Sequence, residues 1–321
     1  MKPSMERWAA AVGPGTGAGV KRWLAWIFAG SHGLRAGWGV LLFLVLVGAV
    51  QIAMVFVLTA MGIGQDDLAR DPRTPAGTMA TTALGLISVV AATGLMALIE
   101  RRRLSDYFLG RRGLALRFGQ GALTGLVLMA ALAGALLLLG ALSFDGVALD
   151  AAQAWRLGLQ WAAAWLMVAL LEELSLRGYM LSKLARGIGF RWAAIATSLI
   201  FATAHLLNPG ESIIGLVSVV LIGLVFAFSV WKTGSLWWAI GFHTAWNWAQ
   251  SYLFGVGNSG FVSEGSLLIT HPQGPAWLSG GPTGPEGSAL NLAVIVAAAA
   301  LVHWGLKRRR EDGEDRGPGI T

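Results

Sequence analysis

Cysteine is absent from the 321 residues, which excludes disulfides and thiolate metal ligands. Charge is scarce as well. Asp, Glu, Lys and Arg make up 13% of the chain, against roughly 25% in an ordinary soluble domain. Hydrophobic residues fill 55%. A soluble globular domain is thereby excluded, and a single polytopic membrane domain is indicated. The formal net charge of +7 would point to nucleic acid in a soluble chain. Here the basic residues gather in loops on one side, where they orient helices against the bilayer, so no nucleic-acid partner is expected. The zinc-binding helix motif with two histidines four apart around a glutamate is missing. So is a convincing internal repeat, which counts against a secondary transporter. No cleavable secretion signal is evident: residues 1–36 are polar, basic and Gly-rich, and the first apolar run is too long for a signal-peptide core and reads as an uncleaved anchor.

What is present is a series of apolar runs of about twenty residues, the length needed to cross ~30 Å of hydrocarbon. Eight are read: 38–62, 78–99, 119–142, 155–177, 191–207, 212–231, 235–253 and 289–306. The expected fold class is an all-α, polytopic membrane bundle of about eight transmembrane helices. The fourth helix should run past its apolar part to Arg186 and break at Gly187-Ile188-Gly189. Asn208-Pro209-Gly210 should form a tight turn.

Basic residues fix a direction. Arg101, Arg102, Arg103, Arg111, Arg112, Arg117, Lys183, Arg186, Arg191, Lys232 and Lys307 through Arg310 fall in alternate loops. The opposite loops carry Arg70, Arg73 and Arg156 beside Asp66, Asp67, Asp71, Asp145 and Asp150. Both termini are therefore expected in the cytoplasm. The chain divides into an N-terminal cytoplasmic segment (1–36), a transmembrane domain (37–306, with a motif core at 155–253) and a charged tail (307–321). In the first segment Trp23, Trp26, Ile27 and Phe28 alternate with Lys21, Arg22 and Arg35, as in a short interfacial helix or a disordered tail. The run Arg308–Gly313 reads as disordered. The Gly-, Ser- and Pro-rich loop 254–288 is expected outside, and the basic rim points to substrate access from the cytoplasm.

Six polar residues interrupt the apolar helices: Glu172, Glu173, Arg177, His205, His243 and Asn247. A charge at mid-bilayer costs from ~2.5 to over 10 kcal/mol, so each needs a use. Glu172 and Glu173 are adjacent, hence about 100° apart around a helix. Arg177 follows Glu173 by four residues, the favourable acid-first spacing for an ion pair. Glu173 and Arg177 are therefore assigned to structural support and Glu172 to chemistry. With a turn near Ile188, Glu172 and His205 fall at matched depth on antiparallel helices and can share a water. His243 and Asn247, four apart, face one stripe and can share a ligand or an oxyanion. His32, His271 and His303 are expected to have no catalytic role.

These residues carry a family resemblance. Glu172-Glu173-x-x-x-Arg177, Phe201-x-x-x-His205 and His243-x-x-x-Asn247 resemble the three motifs of the CPBP intramembrane proteases, which include type II CAAX prenyl endopeptidases, bacterial homologues and bacteriocin-immunity proteins. Gly284-Pro285-Glu286-Gly287-Ser288 is similar to bacterial members, although a helix-start turn explains it equally well. The resemblance implies peptide-bond hydrolysis in a cavity between helices, with a membrane-associated peptide or protein as substrate. In the favoured scheme no cofactor takes part: Glu172 and His205 activate water, and His243 and Asn247 stabilise the oxyanion. The competing scheme places zinc on Glu172, His205 and His243. Two further classes share these features: a non-proteolytic membrane scaffold of the bacteriocin-immunity type, and a transporter relaying protons through the same Glu and His. The Ala-, Gly- and Arg-rich composition points to a bacterial cytoplasmic membrane.

Overall fold

Long runs of Leu, Val and Ala without an internal proline commit most of the chain to helix, and the computed structural model describes residues 23, 27–30, 33–63 and 71–307. The helices are α1 (Ala36–Ala60), α2 (Pro75–Ile99), α3 (Leu114–Leu138), α4 (Ala151–Glu173), α5 (Leu181–Ile188), α6 (Phe190–His205), α7 (Ile213–Thr233), α8 (Trp237–Trp248) and α9 (Ala289–Gly305). A π-helical stretch, Leu174–Met180, joins α4 to α5 without a break, and another, Ala249–Leu253, extends α8.

Helix ends follow capping chemistry. Asp150 and Gln153 form a reciprocal capping box at α4. Thr74, Ser212 and Ser288 cap α2, α7 and α9 through their side chains. Gly189, at φ 81°, turns α5 into α6 where the sequence placed the break.

The all-α membrane bundle is observed, but the count of eight long spans is not. Among the described residues five helices are long and apolar enough to cross a membrane: α1, α2, α3, the continuous Ala151–Ile188 helix and α7. Helices occupy the other three runs too, yet α6 has 16 residues, α8 has 12 and α9 has 17. Turns and π-helix take up residues that hydropathy had counted as span. Side chains such as Phe56 (74% exposed) and Leu138 (90%) point outward, as lipid-facing residues must. The molecule is an integral membrane protein.

The third run also ends early. Residues 142–147, in part assigned to a span, form strand β1 (Leu142–Val147), which pairs antiparallel with β2 (Leu268–Pro272) around a bulge at Asp145. The loop 254–288 is thus folded against the bundle rather than hanging from it.

The two ends of the bundle differ in charge. Arg102, Arg117, Lys183, Arg186 and Lys232 lie at one end, with the start of α1 and the α5–α6 turn. Lys183 and Arg186 are not free loop charges as the sequence suggested. Both are buried against Glu100, with Lys183 Nζ at 2.5 Å and Arg186 Nη2 at 3.4 Å. Tyr179 and Tyr107 hydroxyls also donate to that carboxylate, at 3.0 and 3.2 Å. Burial alone would push the Glu100 carboxyl up, but the Lys183, Tyr179 and Arg186 interactions outweigh it and hold it below the ordinary carboxylate value.

At the centre, α8 packs on α3 through glycines. A Cβ on Gly121 or Gly125 would run into the backbone of Trp238 or Phe242, and one on Gly241 into that of Phe118. This small-residue contact brings the helix of His243 and Asn247 close to the bundle axis. Residues 21, 22, 24–26 and 308–313, on which the interfacial-helix and disordered-tail expectations rest in large part, lie outside the described residues, as do Arg70, Asp66 and Asp67.

Candidate active site

Glu173 and Arg177 lie where α4 passes into π-helix, a local geometry that recurs at functional sites. Arg177 Nη1 donates to Glu173 Oε1 at 3.2 Å, and both side chains are fully buried. The guanidinium sits over the Phe201 ring, 4.5 Å from its centroid, with Phe226 at 5.6 Å. Gly223 leaves room for it: a Cβ there would stand 2.6 Å from Arg177 Nη2. The expected structural pair is present.

Glu173 Oε1 takes a second donor, His243 Nδ1, at 3.2 Å. The other ring nitrogen, Nε2, faces Glu172 Oε2 at 3.6 Å. His243 therefore bridges the two adjacent carboxylates, a link the sequence could not show. Its ring stacks on Phe226, with centroids 5.7 Å apart. Glu172 differs from Glu173 in being 29% exposed, and the space it faces is a cavity.

That cavity, of about 270 Å³, is lined by Glu172, His205, His243 and Asn247 together. His205 Nδ1 lies 2.9 Å from the Phe201 carbonyl oxygen. A carbonyl only accepts, so Nδ1 carries the hydrogen and neutral His205 keeps its lone pair on Nε2. Phe201 meets the His205 ring edge-on at 4.7 Å. All four residues assigned to chemistry thus share one wall system, with Glu173 and Arg177 behind it. His271 instead pairs with Asp145 on the exposed hairpin, and His303 lies near the end of α9 against Phe228.

Sequence reasoning missed several wall residues. Asn208, Asn258, Ser259, Glu286, Ser218 and Trp165 also line the cavity. Glu286 Oε2 accepts from Ser259 N and Oγ at 2.9 and 2.8 Å, and Oε1 accepts from Trp246 Nε1 at 3.3 Å. The Gly284–Ser288 turn therefore does more than start α9: it carries the acid that holds residue 259 on the wall. A lone Glu in a Gly/Pro run was the available signal. Trp165 Nε1, Ser218 Oγ and Asn291 Oδ1 are buried without a protein partner, so the lining offers both donors and acceptors to an occupant. Asn208 of the α6–α7 turn, Asn258, Ser259, Phe261 and Glu286 form its wall at the end opposite the basic cluster.

The zinc alternative can be tested against the donors. Among the described residues no three His, Asp or Glu side chains are grouped closely enough to hold a metal ion. His243 has one nitrogen bonded to Glu173 and the other turned to Glu172.

Comparison with known proteins agrees with the motifs. Residues 154–249 match the family model described as type II CAAX prenyl endopeptidase Rce1-like, a stretch that contains Glu172, Glu173, Arg177, His205, His243 and Asn247. No curated protein and no solved structure matches the chain. Within this membrane-embedded bundle, residues 154–249 are thus similar to the CAAX-protease-like family.

Proposed function

We propose that the protein is an intramembrane endopeptidase that hydrolyses a peptide bond of a membrane-associated peptide or protein. The observation that carries this reading is the convergence of Glu172, His205, His243 and Asn247 on one cavity, with Glu172 partly exposed there while Glu173 is spent on Arg177 and His243.

A water held between Glu172 and His205 directs one hydrogen to the carboxylate and the other to His205 Nε2. Glu172 takes its proton as the water oxygen bonds to the scissile carbonyl carbon. Asn247 Nδ2 and, when both ring nitrogens carry hydrogen, His243 Nε2 donate to the oxyanion. Collapse breaks the C–N bond, and Glu172 returns the proton to the leaving amine. Glu173 and Arg177 hold His243 in place. No step in this scheme needs a metal. Metal analysis of purified, active protein tests this: activity that survives chelation is expected, and stoichiometric zinc lost together with activity would overturn it.

The charge asymmetry supports an orientation with both termini in the cytoplasm, in what the composition suggests is a bacterial cytoplasmic membrane. Comparison of protein termini from cells with and without the active protein identifies the substrate. New termini near membrane-anchored segments are expected; their absence contradicts the proposal.

A further inference from the structure

A second cleft, of about 440 Å³, lies at the basic end, far from the site above. Among the described residues its wall includes Gly30, Ala36, Gly37 and the cations Lys183 and Arg186, and no carboxylate. Lys183 and Arg186 share a single anion, Glu100, so this pair carries excess positive charge. Arg186 is 9% exposed, and its Nη1 is buried without a hydrogen-bond partner. A buried guanidinium nitrogen with nothing to bond is costly unless a ligand takes it.

The second contributor is the start of α1. Among the described residues no side chain caps this 25-residue helix, so the first-turn N–H groups of Ala36 and Gly37, both on the cleft wall, can turn to an outside acceptor. Helix N-terminal N–H groups, a guanidinium fork and an ammonium form the donor set that oxyanions of phosphorus prefer. The cleft sits at the bundle end where the first and fourth helices leave the apolar region, the depth of lipid headgroups.

We infer that this cleft binds a phosphate group, supplied by an anionic phospholipid headgroup or by a small soluble phosphate. The inference does not depend on the protease reading.

The test uses the full chain, purified in detergent and in nanodiscs. Native mass spectrometry compares retained phosphatidylglycerol with phosphatidylcholine, and inorganic phosphate is added as competitor. Preferential retention of phosphatidylglycerol that phosphate does not displace assigns the cleft to lipid. Stabilisation by inorganic phosphate, with displacement of the lipid, assigns it to a soluble ligand. Equal retention of both lipids and no response to phosphate would overturn the inference. Arg186→Gln should weaken retention about fivefold, but it also loosens the Glu100 cluster. Gly37→Asp separates the two effects. Its Cβ meets open space, and an acid in the first turn suits a helix N-terminus, so the fold is kept while the phosphate is repelled. Retention of phosphatidylglycerol at the wild-type level by well-folded Gly37→Asp would also contradict the assignment.

Discussion

Glu100 and the Glu172–Glu173 pair differ in what is left over. At Glu100 both oxygens are engaged, by Lys183, Arg186, Tyr107 and Tyr179, and the side chain is closed off at 9% exposure. At the Glu172–Glu173 pair the work is divided. Glu173 is fully buried, with its Oε1 taken by Arg177 and His243 and its Oε2 left without a partner among the described residues, while Glu172 keeps a face on a cavity, with His243 approaching at 3.6 Å. A buried charge by itself thus says little about chemistry. An acid that is partly exposed beside an ordered neighbour, and faces space that a substrate can fill, says more.

The comparison can be broken by substitution. Glu173 should behave like Glu100. Glu173→Gln leaves Arg177 buried without its counter-charge, and a loss of about 3–5 kcal/mol is expected, read from thermal or denaturant melts in detergent. A variant as stable as wild type would mean that the pair is not structural. Asn247→Ala should do the reverse, cutting kcat by about 10²–10³ with little change in melting. Gly223→Ala crowds Arg177 Nη2 and should cost about 1–3 kcal/mol, with activity falling only as far as His243 is displaced. The smallest effect concerns pH. Because Glu100 lies below the ordinary carboxylate value of 4.5, its contribution to stability is fully present above that value and is lost as pH falls through the lower folded value. Melting temperature should therefore fall below about pH 4.5 in wild type, and less so in Glu100→Gln.

Much of this was legible in the sequence. The all-α membrane class followed from apolar runs, and the break at Gly189 and the pairing of Glu173 with Arg177 followed from spacing. Three motifs on three helices marked the cavity wall before any contact was known. What escaped has physical causes. Hydropathy cannot tell the long helices from the shorter α6, α8 and α9, because it reads composition and not where a helix ends. The hairpin of residues 142–147 with 268–272 pairs segments more than a hundred residues apart, and no local pattern encodes that. Ser259 and Glu286 lie in irregular chain, where periodicity gives no face. Lys183 and Arg186 looked like surface charges because their partner, Glu100, is on another helix.

The central claim is that Glu172, and not its neighbour, activates water. It is tested most directly by Glu172→Gln in a reconstituted assay on a membrane-associated reporter peptide that the wild type cleaves, with melting measured on the same preparation. Cleavage should fall about 10²–10⁴-fold while the melting temperature stays at the wild-type value. Cleavage at the wild-type rate by the folded variant would contradict the account.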